Sequence, residues 1–94
     1  MPKFNTDQIE ALKRKIFDSD EEVMVRFQGN GLTIEQIVLF QKIATECTPE
    51  EFYNLLYNGQ IPSLRLTTSE MDLLKGGKWI NDAIQATKKF LLKQ

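Results

Sequence analysis

The sequence contains no histidine and a single cysteine, Cys47. Without imidazole, the chain cannot form a Ser-His-Asp triad, a Cys-His pair or a zinc site built on histidine. A lone cysteine provides neither a structural zinc site nor an internal disulfide. A chain without disulfides is typical of a reducing compartment, and we therefore expect a cytoplasmic protein.

Long apolar runs are missing as well. No uninterrupted apolar stretch approaches the roughly 18 residues that a membrane-spanning helix needs. Residues 1–7 contain no apolar segment followed by a small-residue cleavage site, so we expect no signal peptide. A membrane partner is therefore not expected.

Ligand-binding motifs are scarce too. The glycines of residues 29–31 and 76–77 fit neither the dinucleotide-binding nor the P-loop spacing. The acidic residues 18–22 lack the glycine that a calcium loop needs at its sixth position, where Val23 stands. The remaining acidic candidates are better explained as helix-cap partners or surface charges: Glu50, Glu51, Glu70 and Asp72. The sequence thus predicts no cofactor, no metal site and no catalytic residue, and we expect a protein that is not an enzyme.

The net charge of −1 conceals an uneven distribution. Residues 1–74 carry seven basic and twelve acidic side chains, whereas residues 75–94 carry five lysines and one acid. The C-terminal segment is therefore basic within an acidic chain, a pattern typical of a solvated helix face. The overall acidity disfavours general nucleic-acid binding.

The feature that does recur is a helix-start signal. In a capping box, a Ser, Thr or Asn stands three residues before a Glu or Gln, and each side chain bonds the other residue's backbone amide. The signal occurs at Asn5…Gln8, Ser19…Glu22, Thr33…Gln36, Thr48…Glu51 and Thr67…Glu70. Pro49 follows the fourth cap and suits the first helical position. Each signal precedes an apolar-periodic segment and therefore predicts a helix.

These starts divide the chain into helical segments. The predicted helices are Thr6–Phe17, Asp20–Gln28, Ile34–Glu46, Pro49–Asn58, Ser69–Lys75 and Lys78–Lys93. The second is ambiguous, because Val23, Val25 and Phe27 alternate as in a strand, while Val23 and Phe27 are also four residues apart as in a helix. The predicted fold is an all-α, compact single-domain bundle of five or six short helices over residues 1–94. A minimal two-stranded β ribbon of residues 23–27 with 64–66 is the alternative for the ambiguous segment.

Two side chains allow both a structural and a functional interpretation. Cys47 precedes the cap Thr48 and is spaced from Phe52 as in a hydrophobic staple, which favours packing over nucleophilic chemistry. Trp79, the only tryptophan, shares the apolar stripe of the last predicted helix with Ala83. We expect Trp79 to lie in the core or at its edge, with an exposed contact surface as the alternative.

One segment resembles a known family. Residues 66–71, LTTSEM, and residues 77–84, GKWINDAI, are similar to the opening of the catalytic domain in Ulp/SENP-type SUMO proteases. In that family an LT-like start and a short helix precede a Trp-Leu/Ile-Asn-Asp run. The chain ends before the family's catalytic His, Asp and Cys would follow, so the resemblance implies a fragment or inactive relative and not an active protease.

By elimination, the favoured function is that of a small non-enzymatic module, an adaptor, inhibitor or regulatory factor that binds another protein as a monomer or homodimer. Its predicted contact residues surround the connector and the start of the last helix: Tyr53, Tyr57, Gln60, Ile61, Leu64, Arg65, Lys78 and Trp79. A DNA-binding regulator is the alternative, with Ile34–Glu46 and Pro49–Asn58 as a helix-turn-helix-like pair. Against it, Glu50 and Glu51 would repel phosphates. The inactive protease relative is the third hypothesis.

Overall fold

The computed structural model describes residues 5–92, which form six helices. These are α1 Thr6–Phe17, α2 Asp20–Gln28, α3 Ile34–Glu46, α4 Pro49–Asn58, α5 Thr68–Lys75 and α6 Lys78–Leu92. Every predicted helix is present, and the predicted end at Lys93 lies outside the described residues. No strand forms between residues 5 and 92, so the predicted all-α bundle is confirmed. None of these helices has the length and apolarity to cross a bilayer.

The alternative of a β ribbon between residues 23–27 and 64–66 is wrong. Val23 and Phe27 are buried, as the helical spacing requires, and Val25 between them is 71% exposed. A strand would have placed all three side chains on one face. The helical period therefore decides this segment, and the second proposed strand belongs to the irregular connector between α4 and α5.

Local hydrogen bonds fix where the helices begin. Complete capping boxes form at Thr33, Thr48 and Thr67, with reciprocal side chain to amide distances of 2.8–3.2 Å. At Asn5 and Ser19 only half of the capping box forms: the cap side chain accepts hydrogen bonds from backbone amides of the first helical turn. Each cap contributes about 1 kcal/mol relative to alanine, so the helix starts are favoured independently of tertiary contacts.

Phenylalanine rings form the centre of the core. The ring of Phe17 in α1 lies 6.3–6.5 Å, centroid to centroid, from those of Phe27, Phe40 and Phe52. Phe27 and Phe40 are 5.7 Å apart. Such edge-on and tilted pairs contribute about 0.5–1.5 kcal/mol each beyond the burial of their area. Because each ring comes from a different helix, the cluster ties α1, α2, α3 and α4 together.

Helix α6 covers this core. It packs against α1, α2, α3 and α4 and buries an apolar stripe that includes Trp79, Ile80, Ala83 and Ile84. The Trp79 indole N–H donates to the Leu73 carbonyl of α5 at 2.8 Å. The prediction that Trp79 lies in the core or at its edge is confirmed, and its hydrogen bond joins the end of α5 to the start of α6.

The turn between α5 and α6 requires glycine at one of its two glycine positions. Gly77 has a φ of 70°, in the left-handed region that other residues disfavour. Gly76 has a φ of −68°, which any residue adopts. A Cβ built on Gly76 would lie 3.6 Å from the Leu73 carbonyl oxygen, an ordinary contact. The return of α6 onto the bundle therefore depends on Gly77.

A lysine lies inside the bundle. Lys13 of α1 is only 6% exposed. Its ammonium donates to the Cys47 carbonyl at 2.6 Å, and Nζ lies 5.7 Å from the centroid of the Phe52 ring. Cys47 ends α3, where carbonyl groups lack partners within the helix and the helix dipole is negative. The buried charge thus ties α1 to the junction of α3 and α4.

Cys47 itself has the predicted packing role. Its side chain is buried and its Sγ lies 3.4 Å from the Ala44 carbonyl oxygen, to which it donates. Burial raises the pKa of the Cys47 thiol, although the nearby Lys13 ammonium acts in the opposite direction. The thiol is therefore protonated at neutral pH and poorly suited to nucleophilic attack.

Candidate binding groove between helices α3 and α5

A groove of about 690 Å³ lies between α3 and α5. Ile34 and Val38 of α3 line it and are 57% and 52% exposed. Leu39 is buried and Leu73 half-buried, and both form the inner part of the lining. An apolar groove between helices is the kind of surface into which a protein helix or a side-chain anchor packs.

The exposed pair follows from the helical period of α3. Residues 37–40 are four consecutive apolar residues, Ile-Val-Leu-Phe, and at about 100° per residue they spread over roughly 300° of the helix circumference. The other three face the core, which leaves Val38 pointing outward. Ile34 is one turn earlier and lies on the same face. This run was the available sequence signal for the groove, because four consecutive helical residues cannot all face one core.

Acidic side chains line the groove, and none of the lining residues between positions 5 and 92 is basic. Glu35 stands on the α3 side and Asp72 on the α5 side. Glu35 forms no ion pair with any residue between 5 and 92. Asp72 lies 3.7 Å from Lys75, but both side chains are largely exposed, and such pairs contribute about 0–1 kcal/mol. Both sides of the groove therefore carry negative charge that is weakly neutralised.

Glu70 also lines the groove, but its carboxylate is engaged within the protein. The Lys42 ammonium lies 3.1 Å from each carboxylate oxygen, and the Thr67 amide donates to Oε1 at 2.8 Å. The hydrogen bond from the Thr67 amide, followed by that from Lys42, lowers the pKa of Glu70. Because Lys42 belongs to α3 and Glu70 to α5, their contact holds the two helices at the spacing that defines the groove.

Acidification is expected to loosen the attachment of α5 to α3. The pKa of Glu70 is lower in the folded protein than in the unfolded chain, so its stabilising contribution is present above the unfolded pKa. That contribution is lost as the pH falls below the ordinary value of 4.5 and through the folded pKa. The amide chemical shifts of residues 68–75, followed by NMR during acid titration, should report this transition.

The matched control is Glu70→Gln, whose side-chain oxygen can still accept from the Thr67 amide but carries no charge. This variant should lack the α5 transition while unfolding globally in acid as the wild type does. An acid titration of α5 that is the same in both proteins would contradict the assignment to Glu70.

The contact residues predicted from sequence lie elsewhere. Tyr53 and Tyr57 come together with ring centroids 4.8 Å apart, and the Lys88 Nζ lies 5.2 Å from the Tyr57 centroid. Gln60 and Ile61 are exposed and line a shallow depression beside α4. Of the others, Arg65 and Lys78 are exposed, Leu64 is half-buried against the core, and Trp79 is buried. None of the predicted contact residues lines the groove between α3 and α5.

Comparisons with known proteins add no relative. No family model, no curated protein and no solved structure matches the chain. The resemblance of residues 66–84 to the Ulp/SENP-type proteases therefore rests on its short motif alone. In the structure this segment comprises the end of the connector, α5, the glycine turn and the first turns of α6.

Proposed function

We propose that this chain is a small, non-enzymatic, cytoplasmic module that binds another protein through the groove between α3 and α5. One observation carries the proposal: Ile34 and Val38, branched apolar side chains one helical turn apart, remain more than half exposed beside a groove of about 690 Å³. Single exposed apolar residues are common on protein surfaces. Two that share one concave surface are typical of an interaction site.

The energetics of the groove support a modest but specific interaction. Complete burial of an Ile or Val side chain contributes about 1.5–3 kcal/mol, so covering the exposed part of Ile34 and Val38 would contribute roughly 1 kcal/mol each. Leu39 and Leu73 offer further apolar surface to a side chain that enters the groove. The groove is thus suited to a partner that inserts apolar anchors.

The charges of the helix pair α3 and α4 favour a protein over DNA as the partner. Glu50 and Glu51 occupy the first turn of α4, where a recognition helix would present donors to bases. The Glu51 carboxylate accepts from the Thr48 amide at 2.9 Å and is committed to the cap. The groove between α3 and α5 is acidic as well, and it would repel phosphate groups.

Site-specific photo-crosslinking in cells tests the proposal. A photoreactive residue at position 38 should yield a discrete protein adduct, whereas the same residue at position 25 should not. Val25 is the matched control, because it is an exposed valine on α2 that does not line the groove.

The adduct at position 38 should disappear when Ile34→Asp is added, because a carboxylate would then replace one apolar anchor. An aspartate at this first position of α3 suits the positive end of the helix dipole, so the variant should fold with wild-type thermal stability. Equal crosslinking at positions 25 and 38, or an adduct that persists in the folded Ile34→Asp variant, would contradict the proposed function.

A further inference from the structure

We infer that the partner presents a basic amphipathic helix, with one apolar stripe flanked by lysine or arginine on both sides. The inference rests on the proposed function, since it specifies what occupies the same groove. Three features of the described residues support it. Both walls of the groove carry acidic side chains, no strand edge is present among residues 5–92, and the basic helix α6 of this chain already buries its apolar stripe in the core.

The charge of the groove is complementary to a basic partner. Glu35 belongs to α3 and Asp72 to α5, so each wall of the groove carries a carboxylate, and none of the described residues that line it is basic. Glu70 is already bonded to Lys42, whereas Glu35 has no ion pair among residues 5–92 and Asp72 has only its exposed contact with Lys75, so these two carboxylates can pair with a partner's cations. A helix lying in the groove with cations on both sides of its apolar stripe would meet one carboxylate on each wall. An acidic helix would be repelled by both carboxylates.

The groove favours a helical partner over a peptide that adds to a sheet edge. An extended peptide gains affinity by adding to a sheet edge, and residues 5–92 contain no strand to offer one. A helix satisfies its own amides and carbonyls, so it can enter an apolar groove without leaving them unpaired. Ile34 and Val38 are one turn apart, which matches the spacing of apolar residues along one face of a helix.

A second copy of this chain does not supply such a helix from its folded state. The basic helix α6 uses its apolar stripe in the core, where Trp79, Ile80, Ala83 and Ile84 are all buried. Helix α3 does expose Ile34 and Val38, but Glu35 accompanies them in place of cations, so a second copy docked through α3 would bring carboxylates together. The occupant is therefore a segment of a different protein.

Two synthetic peptides test the inference directly. Both are alanine-based helices of about 15 residues, with leucines at positions i, i+3, i+4 and i+7. One carries lysines on both sides of the leucine stripe, and the other carries glutamates at the same positions. Fluorescence anisotropy at low salt should show the lysine peptide binding about tenfold more tightly to the wild-type protein, and the difference should shrink at high salt.

Charge reversal at the groove provides the decisive variant. The double substitution Glu35→Lys with Asp72→Lys should invert the preference, so that the glutamate peptide binds more tightly. The double substitution Glu21→Lys with Glu22→Lys is the matched control: it changes the net charge equally on the exposed first turn of α2, outside the groove. This control should keep the wild-type preference. NMR shift changes should locate the bound lysine peptide at Ile34 and Val38.

Each other outcome has a defined meaning. Equal binding of both peptides at the groove, or an unchanged preference after reversal at positions 35 and 72, overturns the inference and leaves the proposed function standing. If neither peptide binds but position 38 gives a specific crosslink, the inference of a basic helical partner is overturned and the proposed function stands. A wild-type dimer that Val38→Asp converts to a monomer would identify a second copy as the occupant and also overturn the inference. Absence of both crosslink and peptide binding removes the proposed function itself.

Discussion

Replacing Phe52 with alanine is expected to lower the free energy of unfolding by about 4 kcal/mol, which is typical of a large aromatic residue removed from a packed core. The Phe52 ring is fully buried, lies edge-on to Phe17 at 6.3 Å, and has the Lys13 Nζ over its face at 5.7 Å. A domain of this size has a total stability of roughly 5–14 kcal/mol, so the variant should lose a large fraction of it. Urea unfolding followed by circular dichroism measures the change.

The control for this prediction is Phe52→Leu, which retains most of the apolar volume. Its loss should stay near 1.5 kcal/mol, because volume-conserving apolar changes are better tolerated than cavities. The urea dependence of both variants should keep the wild-type slope, since the surface exposed on unfolding is nearly unchanged. A loss below about 1 kcal/mol for Phe52→Ala would mean that α4 does not pack on α1 as described.

Replacing Lys13 with alanine is expected to cost about 3 kcal/mol, a large effect for a lysine. The variant loses a charged hydrogen bond to the Cys47 carbonyl and the burial of the aliphatic part of the side chain. Lys13→Met keeps the aliphatic part and should cost about 2 kcal/mol, because the carbonyl at the end of α3 loses its donor. Chemical denaturation of both variants against wild type provides the measurement.

The neighbouring residue Arg14 supplies the comparison, because it is exposed on the same helix. Arg14→Ala should change the stability by less than about 0.5 kcal/mol, as most surface substitutions do. If Lys13→Met were as stable as the wild type or more so, the desolvation of the ammonium would outweigh its hydrogen bond, and Lys13 would not be a stabilising link between α1 and α3.

The helices could be predicted from sequence because the information for each start is local. A threonine at position 48, a proline at 49 and a glutamate at 51 lie within one helical turn, and their hydrogen bonds need no distant partner. The second helix was ambiguous because Val23, Val25 and Phe27 satisfy two periods at once. Burial settled it, since the core accepts Val23 and Phe27 and leaves Val25 in solvent.

The groove and the buried lysine depend on tertiary packing, which the sequence does not state directly. Lys13 stands four residues after Ile9 and three before Ile16, on the buried side of α1, yet a lysine at such a position commonly extends to solvent. Lys13 can be buried because Cys47, distant in sequence, ends α3 beside it and offers a free carbonyl oxygen as the hydrogen-bond acceptor. Similarly, α3 has more apolar residues than one face can hold, but only the position of α5 shows that Val38 lines a groove.

The position of the indole gives the protein a built-in optical probe. The chain has one tryptophan, so its emission arises from a single place. Its N–H is held by the carbonyl of Leu73, whose own residue lines the groove between α3 and α5. The indole is therefore hydrogen-bonded to a residue that lines the proposed binding surface, and a displacement of α5 would alter this bond. We therefore expect that an occupant which displaces α5 changes the emission of Trp79, so that binding can be followed without attaching a dye.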